Sequence, residues 1–194
     1  MLTRLISLLP GLWLGLWLHS ALAGEVLNAN VEHEDDHYLL HLDMRIKGDS
    51  TAVFRALLDF NNLTAINDTI VYSKLLERNG REYLVQTDGE GCVWFFCKRV
   101  VQVSIVTEMD NGYIMSVTVP EKSDLEYGRT LWQVIDEGDT TRIKYNADYV
   151  PAFWIPPIFG PYIFKKRMLE EGQKTVNGIE RIVNPHDENG LTGR

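Results

Sequence analysis

From Tyr38 to Ile46 apolar and polar side chains alternate, which is the period of a strand with one buried face. The whole stretch Val26–Lys47 reads as extended, with Glu34-Asp35-Asp36 as a turn. After Gly48-Asp49-Ser50 the period changes. Val53, Phe54, Leu57 and Leu58 fall on one face of a helix that Asp49 or Ser50 caps. Three asparagines between Asp59 and Asp68 predict a break and a second short helical turn. The strand period then returns in Ile70–Leu76, Glu82–Thr87, Lys98–Met109, Tyr113–Val119, Tyr127–Ile135 and Thr141–Val150. Between these lie the turns Arg78-Asn79-Gly80, Asn111-Gly112 and Asp136–Asp139, a kink at Asp88–Gly91, and the charged loop Pro120–Glu126. Val101, Val103 and Ile105 share a face, as do Ile143, Tyr145, Ala147 and Tyr149. The pattern predicts one antiparallel meander with a dry and a wet face. Prolines bar Pro151–Pro161 from ladder or helix interior. Tyr162–Val183 then reads as a long helix with Phe164, Met168, Val176, Ile179 and Val183 as its apolar stripe and Gly172 and Gly178 as weak points.

Residues 1–23 have another character. Arg4 precedes the apolar run Leu5–Leu18, and Ala21-Leu22-Ala23 supplies the small residues of a cleavage site. This is the pattern of a secretory signal peptide, with an uncleaved membrane anchor as the alternative. Three segments are expected: a signal peptide over 1–23, one folded domain over 24–183, and a loose tail over 184–194. Export predicts a secreted, periplasmic protein.

The 194-residue chain carries a formal charge of −8, which disfavours nucleic-acid partners. Its two cysteines, Cys92 and Cys97, flank Val93-Trp94-Phe95-Phe96. In an oxidising compartment an even count favours a disulfide. Five steps of extended strand span roughly 16 Å, whereas bridged Cα atoms lie within about 7 Å, so a bond requires the chain to turn back between them. Two states are open: a bridged loop displaying its aromatics, or a straight strand with the thiols on opposite faces.

The order of elements, strand, two short helices, curved meander and long closing helix, resembles the helix-grip fold of the START-like (SRPBCC) superfamily. The chain looks nearest to its polyketide cyclase/dehydrase and lipid-transport group, which includes coenzyme Q-binding START-like proteins. The resemblance covers about Gly48–Val183. It rests on Thr51–Phe60, Ser73-Lys74-Leu75-Leu76, Gly128–Val134 with Thr140–Ile143, and the terminal helix. It implies an α+β fold, a curved antiparallel sheet wrapped around the long helix, with two short helices after the first strand. It also implies an apolar cavity for a lipid, quinone or similar molecule.

Tyr83, Val85, Val103, Met115, Val117, Trp132, Tyr145, Tyr149, Phe164 and Met168 are the expected cavity lining, each of them equally readable as ordinary core. Trp94, Phe95, Phe96, Phe153, Trp154 and Phe159 are expected at its mouth, either as an apolar lip in transient contact with a membrane or folded inward as a plug. No nucleophile elbow or phosphate loop occurs, and no catalytic residue, cofactor or metal is assigned. Tyr83, Glu108, Tyr145 and Tyr149 are the polar groups through which cyclase-type chemistry would have to run. His33, His37 and His41 are spaced for a metal only on a helix; along a strand each step of four residues is about 13 Å, too far for one ion. The function classes to weigh are therefore a carrier of a hydrophobic small molecule, a cyclase/dehydrase-type enzyme in the same cavity, and an interaction module without catalysis.

Overall fold

The computed structural model describes residues 24–93, 96–154 and 160–185, without the side chains of residues 91–93, 96, 160, 161, 163–165, 168 and 169. The expected signal peptide (residues 1–23), the tail beyond residue 185, and Trp94, Phe95 and Phe159 lie outside the described residues. Among these residues, no helix is long and apolar enough to cross a membrane.

Two strands precede the helices, which corrects the expected order. β1 (Glu25–Glu34) and β2 (His37–Lys47) form a hairpin. The turn between them puts Asp35 at a left-handed φ of 53°, which a short polar side chain tolerates. The turn expected at Glu34-Asp35-Asp36 is what makes two strands of the extended stretch. α1 (Ser50–Leu57) follows, its first turn closed by the Asp49 carboxylate, which accepts from the amide of Ala52 at 2.9 Å. α2 (Leu63–Ile66) completes the crossover to the far edge of the sheet.

There the meander begins: β3 (Ile70–Asn79), β4 (Glu82–Val93), β5 (Phe96–Glu108), β6 (Tyr113–Thr118), β7 (Leu125–Asp136) and β8 (Thr140–Pro151). β8 closes against β2, giving one eight-stranded antiparallel sheet in the order β1-β2-β8-β7-β6-β5-β4-β3. The kink expected at Asp88–Gly91 does not end a strand, because β4 stays paired with β5 throughout it. The charged loop after β6 is tied down. Asp124 accepts from the amide of Val101 at 2.9 Å, and the amide of Val103 donates to the Ser123 hydroxyl at 2.9 Å.

α3 (Gly160–Val183) packs on β1, β2, α1 and α2. Val176 and Ile179 are fully buried among Met44, Ile46, Val53 and Ile143, and Phe60 and Ile66 close the same core. Gly172 and Gly178 are points of contact rather than weak points. A Cβ on Gly178 would overlap the Ile66 carbonyl, so α2 lies directly on the α3 backbone. This core fills one end of the sheet's concave face. On the convex face, Arg142 forks onto buried Asp43 through Nε at 2.8 Å and Nη2 at 2.6 Å.

Candidate functional site

Cross-strand partners share a face, so the register reads out the concave surface row by row. One row runs Val85, Ser104, Thr118, Gly128, Tyr149, Tyr38; the next runs Tyr83, Val106, Ser116, Thr130, Ala147, Leu40. A third runs Glu108, Ile114, Trp132, Tyr145, Leu42. Of the expected lining residues, Tyr83, Val85, Trp132, Tyr145 and Tyr149 therefore lie on the concave side. Tyr83 and Val85 belong to the packed core, where the Phe60 ring stands 5.1 Å from that of Tyr83.

Val103, Met115 and Val117 lie on the opposite face. Val103 shares the side of its partner Gln86, Val117 that of Ile105, and Met115 that of Leu131. Val117 and Ile105 are both largely exposed. Hydrophobicity misleads here because β5 carries apolar residues on both faces. Its concave series is Val100, Gln102, Ser104 and Val106. Phe164 and Met168 fall on α3, with side chains outside those described.

The concave face between the core and the second cluster, Tyr38, Leu40 and Ala147, is consequently polar yet uncharged. Gln102 donates to the Thr118 hydroxyl at 2.9 Å and also hydrogen-bonds Tyr149. The hydroxyls of Tyr145 and Tyr149 are 2.8 Å apart, and the Trp132 ring centroid is 4.3 Å from that of Tyr145. Ser104 Oγ is buried without a hydrogen-bond partner. Gly128 lets Thr118 and Tyr149 close around it, since a Cβ there would overlap the Thr118 hydroxyl.

Tyr145 and Tyr149 are only half-buried by surface. Even so, desolvation pushes both hydroxyls above the ordinary tyrosine value, Tyr145 well above it. The four polar groups singled out in the sequence form two pairs: Tyr145 with Tyr149, and Tyr83, whose hydroxyl donates to Glu108 at 3.0 Å. Burial first, and Glu108 second, raise the Tyr83 hydroxyl.

At the end of the sheet nearest Tyr149, the β4–β5 hairpin turns back, with Cys92 directly opposite Cys97 and Val93 opposite Phe96. No described cysteine is free. Lys98, just past this hairpin, places Nζ 4.0 Å from the centre of the Phe153 ring. The hairpin and the segment after β8 thus meet at one end of the molecule. Trp154 is 79% exposed at this end.

The histidines are divided between strands. His33 stacks on Tyr38, whereas His37 Nδ1 lies 2.7 Å from Asp148 and His41 Nδ1 2.7 Å from Asn146. His41 and Asn146 line a groove of about 450 Å³ on the convex face, together with Glu32, Arg129 and Asp148. Among the described residues, no group of three or more acids, histidines or cysteines is placed to hold a metal ion.

No protein-family model and no curated protein sequence matches this chain. Solved structures do match it. A START superfamily protein from Mycobacterium smegmatis superposes with a TM-score of 0.60 at 14% identity, covering 76% of this chain and 97% of its own. A STAR-related lipid transfer protein from Xanthomonas axonopodis gives 0.56 at 14% identity, over 80% and 98%. The ZhuI aromatase/cyclase from a Streptomyces species gives 0.56 at 11% identity, over 81% and 99%. The chain has the START-like, helix-grip fold.

Proposed function

We propose that this protein is a carrier that holds a hydrophobic small molecule against the concave face of its sheet. The observation that carries the reading is the half-buried wall of Trp132, Tyr145 and Tyr149, which runs from the edge of the packed core to the second cluster, beneath a mouth where Lys98 meets Phe153. A single curved sheet with one crossing helix leaves interior volume that side chains alone do not fill. The fold likeness to a lipid transfer protein supports the same reading. Residues 1–23 act as a secretory signal in this reading, and the protein works in the periplasm, with the exposed Trp154 touching a membrane while the ligand exchanges. The test is native mass spectrometry of protein purified from its own compartment. A co-purifying apolar ligand that denaturation releases is the expected result, and protein that stays empty across lipid and quinone panels would overturn it.

The Cys92–Cys97 pair forms a disulfide in this reading, supported by their direct opposition across the hairpin and by the absence of a free described cysteine. The bridge holds the Val93–Phe96 lip in place at lower entropic cost. Unreduced protein is expected to resist thiol labelling and to take up two labels per chain after reduction. Labelling at both cysteines without a reductant would remove the bridge from the model of the mouth.

An enzyme of the cyclase type is the second reading, favoured by the likeness to an aromatase/cyclase and by the paired polar groups on the concave face. The carrier reading is preferred because one pair, Tyr83 with Glu108, stands at the packed core, and the other consists of two neutral phenols.

A further inference from the structure

We infer that the Tyr145–Tyr149 pair is the docking point for a neutral oxygen acceptor on the ligand, a carbonyl or ester oxygen rather than an ionised carboxylate. The inference rests on the carrier reading above and narrows the class of molecule carried.

The first argument is a count of hydrogens. Two phenols bring two O–H hydrogens, and the bond at 2.8 Å between their oxygens uses one. The neighbouring amide does not absorb the second, because Gln102 meets Tyr149 as a donor: Nε2 carries two hydrogens and gives the other to Thr118. Whichever tyrosine donates within the pair, the other keeps an O–H to offer. Such a donor on a low-dielectric wall gains most from an acceptor brought by the guest.

The second argument is the absence of charge beside the pair; Glu108 and Arg78 stand together at Tyr83, at the far end of their rows. The rows from Val85 through Ser104, Thr118 and Gly128 to Tyr149, and from Tyr83 through Ser116 and Thr130 to Ala147, contain no ionisable group other than tyrosine. A carboxylate seated there would be a buried charge without a countercharge, whereas a carbonyl costs little once bonded. Lys98, the cation near this end, stands over the Phe153 ring at the mouth. Ser104 extends the same logic: its buried hydroxyl lacks a partner three strands from Tyr149, in the same row. Below the pair, Trp132 against Tyr145 offers a flat apolar surface for the body of the guest.

The test compares three probes on the full mature chain: a long-chain methyl ketone, the alkane of equal length, and the matching carboxylate at neutral pH. Affinities are read by native mass spectrometry and calorimetry. The ketone is expected to bind about tenfold more tightly than the alkane, the yield of one well-placed hydrogen bond in a dry site. Either Tyr145→Phe or Tyr149→Phe leaves one phenol with its O–H free, so each single variant keeps part of the preference. The double variant, Tyr145→Phe with Tyr149→Phe, abolishes it while alkane binding is unchanged. Equal binding of ketone and alkane by the parent, a preference for the carboxylate, or a double variant that still prefers the ketone would each overturn the docking point and leave the carrier reading standing. Failure of all three probes to bind the parent would overturn the carrier reading and the docking point with it.

Discussion

Gly178→Ala is expected to destabilise the fold by about 3 kcal/mol, the upper part of the range for overpacking, because the atoms in the way are backbone. The new methyl would fall on the carbonyl of Ile66, with the carbonyl carbon and Cα of the same residue behind it. None of these can swing aside as a side-chain tip does. α2 would have to leave α3, which uncovers Ile66 and Ile179 in the core. Alanine's better helix propensity, worth about 1 kcal/mol, offsets only part of the cost. Thermal unfolding should show a midpoint lowered by about 10 °C. Gly172→Ala serves as the comparison, since its methyl would meet the Cγ2 end of Val26 at 3.3 Å, a side-chain atom rather than backbone that need give by only a few tenths of an ångström. A Gly178→Ala variant as stable as the parent would show that α2 does not rest on α3 as described.

Asp43→Ala should cost about 2 kcal/mol at neutral pH, the loss of a forked, charge-assisted pair of hydrogen bonds. Asp43 is buried beneath Arg142, whose Nε and Nη2 reach one carboxylate oxygen each. The hydrogen bond from Arg142 is the largest cause holding the Asp43 carboxyl below its usual range, with burial opposing it. The sign follows from linkage. A carboxyl whose folded pKa is depressed contributes stability that is fully present above its unfolded value of about 3.9 and is lost as pH falls through the folded value. The difference between parent and variant should therefore be large at neutral pH and shrink below pH of about 4, as read from urea unfolding across that range. A difference that is flat with pH would mean that the Asp43 carboxylate is not what Arg142 stabilises.

Both effects depend on contacts between segments far apart in the chain, which marks how far sequence pattern reaches. The alternation from Tyr38 to Ile46, the Asn111-Gly112 turn and the capped stretch after Asp49 are local signals, and each formed the element it predicts. Tyr145 and Tyr149 were legible as sharing a face because β8 alternates cleanly around them, and Trp132 is the β7 partner of Tyr145. Val103, Met115 and Val117 were not. β5 and β6 place valines, isoleucines and a methionine on both sides, so hydrophobicity no longer says which side is inward. The hydroxyl-lined strip of Ser104, Ser116, Thr118 and Thr130 passed unnoticed for the same reason: read singly, these look like the wet positions of a half-exposed strand.

By itself, then, the chain's local order determined the strands, the turns, the long final helix and so the family of folds, because backbone periodicity is written in neighbouring residues. Tertiary structure alone decided which face curls inward, that Cys92 meets Cys97, that two tyrosines share one hydrogen bond, and that glycines seat α2 on α3 and Thr118 beside Tyr149. Those outcomes depend on register and close approach between distant segments, and a shift of one residue in pairing would reverse every side chain while leaving the local pattern untouched.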